Sequence, residues 1–215
     1  MRKILFLCAW LVSGLAGGAL ASTASPTILV VGDSLSAGYG IDVDQSWPAL
    51  LQERLDSLGY EHRVVNASIS GETTEGGAAR IAGELEVHAP GVIVIELGGN
   101  DGLRGFPPAR LKDNLRSMIE RSRAAGAEVV LLGIRIPSNY GPRYTRSFEN
   151  VYRELAETYA LPFTEFFMDG VALDDSLMQD DRIHPNAAAQ PVLLDNAWPA
   201  IRQALGGQPA AAAQR

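Results

Sequence analysis

The 215-residue chain has a single cysteine and only three histidines. One thiol cannot close an internal disulfide, and so few Cys and His ligands exclude a structural zinc site. Cations are scarce as well: 18 Lys and Arg stand against 25 Asp and Glu, for a formal charge of −7. Without a basic cluster there is no footprint for nucleic acid or for an anionic membrane surface. The composition is not that of a collagen, a coiled coil or a disordered chain. With 47% hydrophobic residues there is ample apolar material for one α/β core.

A long uncharged apolar run occurs only at the start. Arg2 and Lys3 precede the stretch from Ile4 to Leu20, and Ala19-Leu20-Ala21 gives a small-x-small pattern before Ser22. That stretch is at the short limit for a bilayer span, which needs about 20 residues. Residues 1–21 are therefore predicted to be a signal peptide that is cleaved, leaving no stable membrane insertion. Cys8 follows Leu7, not a small residue, and lies within the run, so it is lost with the leader. A thiol nucleophile is thereby excluded from the exported chain. At the other end, residues 207–215 are mostly Ala, Gln, Gly and Pro and are predicted to be a disordered tail.

Residues 22–206 alternate between two periodicities. Short β-branched or apolar runs at 27–31 (TILVV), 63–67, 91–97 (GVIVIEL), 128–136 and 162–166 read as strands. Helical spacing occupies 45–58, 74–88, 107–125, 143–160 and 186–205, with Ser46 as a cap and Gly59 as a stop for the first. Five strands separated by helices predict a single α/β domain, a parallel sheet covered on both faces. Reactive groups then belong on loops beyond the carboxyl ends of the strands.

Polar motifs sit at those ends. Gly32-Asp33-Ser34-Leu35-Ser36 follows the first strand, and a serine at a strand–loop junction can present its hydroxyl at the sheet edge. It is not a G-x-S-x-G elbow, because Ser36 replaces the second glycine. Ser68-Ile69-Ser70-Gly71-Glu72-Thr73-Thr74 follows the second strand and Gly98-Gly99-Asn100-Asp101-Gly102 the third; each alone reads as a polar turn. Near the end, Asp181 and His184 are three residues apart in a turn. There a carboxylate can accept from imidazole Nδ1 and leave Nε2 as a base. Pro185 restrains His184, Asp180 is an alternative partner, Asp33 is assigned a structural role, and His62 and His88 are placed in solvent. Together these are the parts of acyl transfer through a serine ester.

The four blocks, GDSLS, SGET, GGND and DRIH in that order, resemble the SGNH or GDSL family of serine hydrolases. Within it the likeness is to exported bacterial thioesterases, lysophospholipases and arylesterases, carried by GDSLSAGYG, NASISGETT, ELGGNDGLRG, RIPSNYGPRY and MQDDRIHPN. The resemblance implies a three-layer α/β/α fold with five parallel strands in the flavodoxin-like order 2-1-3-4-5. It implies Ser34 as nucleophile, Asp181 and His184 as its relay, and oxyanion donors from Ser34 N–H, Gly71 N–H and the Asn100 amide. It implies no metal or organic cofactor and a periplasmic or secreted monomer acting on small acyl esters or thioesters. Arg182, between Asp181 and His184, is bulkier than expected there. For substrate contact, Ile136, Pro137, Tyr140, Phe167, Met168 and Met178 are predicted to line an acyl cleft, since ligand pockets are mostly apolar. A carbohydrate O-acetylesterase and a noncatalytic binding module are the alternatives.

Overall fold

The computed structural model describes residues 25–207. The leader at 1–21 and the tail beyond 207 lie outside the described residues. Five parallel strands form one sheet: β1 (Thr27–Gly32), β2 (Arg63–Asn66), β3 (Val92–Glu96), β4 (Glu128–Leu132) and β5 (Phe163–Thr164), in the order β2-β1-β3-β4-β5. Strands β1 and β3 are buried along their whole length, as continuous apolar runs require when both faces are covered. They pair from Ile28 with Val92 to Gly32 with Glu96, so the GDSL loop and the GGND loop leave the sheet side by side.

Among the described residues seven helices complete the layers: α1 (Ser34–Ala37), α2 (Trp47–Leu58), α3 (Thr74–His88), α4 (Gly99–Leu103), α5 (Pro108–Ala124), α6 (Pro142–Tyr159) and α7 (Gln190–Ala204). Helices α2 and α7 pack together, while α3, α5 and α6 pack in succession, each pressing an apolar stripe on the sheet. Among the described residues no helix is long and apolar enough to cross a membrane.

The differences from the sequence reading have local causes. Strand β4 ends at Leu132 rather than 136, because the two-residue β5 offers no partner further along; Ile134 and Ile136 are apolar to fill the core, not to extend the sheet. The helix predicted at 186–205 opens with a 3-10 turn at Ala187–Ala189, and α7 begins where Pro191 can occupy its first turn. Ser46 does not cap α2 with its side chain; its hydroxyl donates to the Val43 carbonyl at 2.6 Å. The GGND segment, read as a turn, forms the short helix α4. Phe167 is a correction to the predicted cleft. It is 0% exposed and stacks edge-on against Trp47 at 5.5 Å, so it packs the core where a ligand cannot reach.

Candidate active site

Ser34 is the first residue of α1 and stands past the end of β1 with only Asp33 between, where the chain turns out of the sheet. The preceding Asp33 caps this helix, its Oδ1 accepting from Leu35 N–H at 3.1 Å. At the start of a helix the backbone N–H groups have no partner within it, so the amide of Ser34 is available at the sheet edge.

His184 is 150 residues away in sequence, yet its Nε2 lies 3.0 Å from Ser34 Oγ. Its Nδ1 lies 2.6 Å from Asp181 Oδ2. The other oxygen of Asp181 accepts from the backbone N–H groups of Ile183 and His184, at 2.9 and 3.0 Å. That Asx turn explains why Asp181, and not Asp180, faces the ring. The hydrogen bond from His184, helped by the two amides, lowers the Asp181 pKa to about 2, so it stays ionised at any working pH. Arg182 adopts φ 55, and its side chain is 79% exposed towards Asp175, clear of the imidazole.

A clamp that was not recognised from the sequence joins the two halves. Gln179 donates from Nε2 to the Tyr39 carbonyl at 2.7 Å and to the Pro185 carbonyl at 2.9 Å, tying the loop after α1 to the histidine loop. Gly40 at φ 75 permits this approach, because a Cβ there would come within 2.2 Å of Gln179 Oε1. The ring of Tyr39 then lies 4.4 Å from that of His184. His62, expected in solvent, is half-buried beside Tyr60, and burial lowers its pKa; His88 faces Glu84 at 3.4 Å.

The other two blocks meet beside Asp33. Gly71 takes φ 80, with open space where a Cβ would be, and its carbonyl accepts from Arg104 at 3.2 Å. Asn100 Nδ2 lies 3.1 Å from Asp33 Oδ2 and 3.0 Å from the Glu72 carbonyl. Buried Asp101 fastens α4 to α3, accepting from Thr74 N–H at 2.9 Å and Thr74 Oγ1 at 2.6 Å. Asn100 and the Gly71 turn are thus held to each other through Asp101 and Thr74, a pairing that the sequence did not reveal.

Beneath them is a second unrecognised group. Glu96, 0% exposed at the end of β3, accepts from Ser36 Oγ at 2.6 Å, and Ser36 Oγ accepts from Trp47 Nε1 at 3.1 Å. Burial, and then the charge of Asp33, push the Glu96 pKa well above the ordinary value. A carboxyl with a raised folded-state pKa gives its full stability below the unfolded value and loses it as pH rises towards the folded one. Glu96→Gln is therefore expected to gain stability relative to the native chain above about pH 4.5, by up to about 1.4 kcal/mol per pH unit. Urea midpoints measured from pH 4 to 9 check this; parallel pH curves for the two proteins would refute it.

A hydroxyl within hydrogen-bond reach of an imidazole, itself oriented by a carboxylate, is equipped for nucleophilic acyl transfer. Comparison with known proteins agrees. The sequence profile of the GDSL-like Lipase/Acylhydrolase family matches residues 30–191. The chain belongs to that family.

Membership makes it a serine hydrolase. Esterase TesA of Pseudomonas aeruginosa is 53% identical over 182 residues, covering 85% of this chain and 90% of the relative. Thioesterase 1/protease 1/lysophospholipase L1 of Escherichia coli K12 is 47% identical over 174 residues, 81% of this chain and 82% of the relative. The crystal structure of TesA superimposes with a TM-score of 0.81 and 53% identity, covering 83% of this chain and 99% of that one. The TesA structure carries the same architecture as the five-stranded sheet described above.

Proposed function

We propose that this GDSL hydrolase cleaves acyl esters and thioesters, including acyl-CoA-type thioesters, lysophospholipids and aryl esters, through an acyl-enzyme on Ser34. The observation that carries the reading is the continuous relay from Ser34 Oγ to His184 Nε2 at 3.0 Å and from His184 Nδ1 to Asp181 at 2.6 Å. Ser34 Oγ attacks the carbonyl carbon while His184 Nε2 takes the hydroxyl proton. The resulting imidazolium is stabilised by Asp181, which stays a carboxylate. Negative charge on the carbonyl oxygen is met by Ser34 N–H, Gly71 N–H and the Asn100 amide, the largest electrostatic contribution expected in such a site. His184 returns its proton to the leaving alcohol or thiol, then takes one from water as it attacks the acyl carbon, and passes it to Ser34 Oγ as the ester bond breaks and the acid leaves.

The acyl chain is assigned to the edge formed by Ile136, Pro137, Tyr140, Met168 and Met178. Pro137 and Tyr140 are exposed and Met168 is partly buried, whereas Ile136 and Met178 are each 8% exposed. Tyr140 is anchored there by its hydroxyl, which donates to the Leu103 carbonyl at 2.7 Å. The leader assigns the mature enzyme, a monomer, to the periplasm or beyond.

The test is a series of p-nitrophenyl esters from acetate to palmitate together with palmitoyl-CoA. The expected result is kcat/KM rising from acetate into medium or long chains, with hydrolysis of the thioester. Activity on acetate alone, falling steeply with chain length, favours the carbohydrate O-acetylesterase and removes the acyl edge. No hydrolysis of any member leaves only a binding module.

A further inference from the structure

The Asn100 side chain has two N–H donors on Nδ2, and both are occupied within the protein: Asp33 Oδ2 lies at 3.1 Å and the Glu72 carbonyl at 3.0 Å. A substrate oxygen therefore has to take the place of one of these acceptors. The two differ in kind. The Glu72 carbonyl belongs to the turn that also carries Gly71, at the partly exposed mouth of the site. Asp33 is 2% exposed and fixed, its other oxygen capping α1 through Leu35 N–H at 3.1 Å. Gly99 closes over it, where a Cβ would lie 3.2 Å from Oδ2.

We propose that Asp33 is the positioning residue of the oxyanion site: its Oδ2 keeps one N–H of Asn100 throughout the reaction and so aims the other at the substrate carbonyl oxygen, which displaces the Glu72 carbonyl. The proposal rests on the reading of Ser34 as nucleophile and Asn100 as oxyanion donor, and adds to it. A carboxylate suits the task because it accepts on both oxygens, here from the helix cap and from Asn100; an amide accepts on only one. Burial pushes the Asp33 pKa up to about 6, against the pull of the Leu35 N–H, the Asn100 amide and His184, so it is a carboxylate at neutral pH. The other titratable groups facing it are Glu96 from β3 and Asp101 from α4.

A double-mutant cycle on p-nitrophenyl butyrate tests this, with the native chain, Asp33→Asn, Asn100→Ala and the double variant. Asparagine can keep the cap on Leu35 but then turns an NH2 towards Asn100. Asp33→Asn is expected to lower kcat by about 10–10²-fold, with KM within about threefold, as loss of aim at a transition-state donor requires. Asn100→Ala is expected to lower kcat by about 10²–10³-fold. In the Asn100→Ala background, the Asp33 change is expected to alter kcat by less than about threefold, because its effect passes through the missing amide. Losses that multiply in the double variant, or an Asp33→Asn enzyme of native kcat, would overturn the proposal while leaving the oxyanion role of Asn100 intact. Native kcat in Asn100→Ala would instead remove that role, and the proposal with it. Asp33→Ser, whose hydroxyl can cap α1 but cannot reach Asn100, repeats the cycle with the same expectations should Asp33→Asn fail to fold.

Discussion

Ser34→Ala is expected to lower kcat by at least about 10⁴-fold, with folding unchanged by circular dichroism and thermal melting. The size follows from what is removed. Without Oγ there is no covalent intermediate, and His184 and Asp181 lose the group they activate, so the relay fails as a unit. What survives is transition-state binding by the amide donors. Stability should change little, because Ser34 is partly exposed and its hydroxyl points to His184 at 3.0 Å and not into the core. Turnover of p-nitrophenyl butyrate by freshly purified variant measures this, and activity within tenfold of native would end the covalent mechanism.

Asp181→Asn is expected to cost about 10³-fold in kcat, somewhat less than a fully buried triad carboxylate would. Two effects combine. An amide can turn its NH2 towards Nδ1 and select the tautomer in which Nε2 carries the proton and cannot act as a base, and the imidazolium loses its counter-charge. The side chain of Asp181 is 40% exposed, so water partly compensates, which brings the figure below the buried case. Because the Asp181 pKa is held at about 2, its own protonation does not enter the native pH–rate profile above pH 4. A native-like kcat in the variant, measured between pH 6 and 9, would show that His184 needs no orienting carboxylate.

Much of this site was legible because local chemistry marks it. The strand-end GDSLS, the SGET and GGND turns and the Asp181–His184 spacing each place a reactive residue type at a junction where a parallel sheet exposes its edge. The alternation of periods also gave the five strands and the covering helices, although boundaries moved where β5 proved only two residues long. Strand order came from the family resemblance, since apolar runs such as TILVV and GVIVIEL carry no record of their neighbours. The supporting residues were not legible for a related reason. Asp33 meets Asn100 across 67 positions and Gln179 meets Tyr39 across 140, and no spacing rule spans such gaps. Glu96 did leave a trace, as a lone carboxylate ending an apolar strand, and burial makes such a group informative. Phe167 went the other way: an aromatic near the histidine loop looked like a cleft wall and is core.

The most direct test of the central claim is peptide mass spectrometry after treatment of the native chain with a fluorophosphonate. One phosphonyl adduct is expected, on the peptide containing Ser34, with labelling abolished by His184→Ala. An unlabelled chain, or an adduct carried by any other residue while hydrolysis is lost, would contradict it.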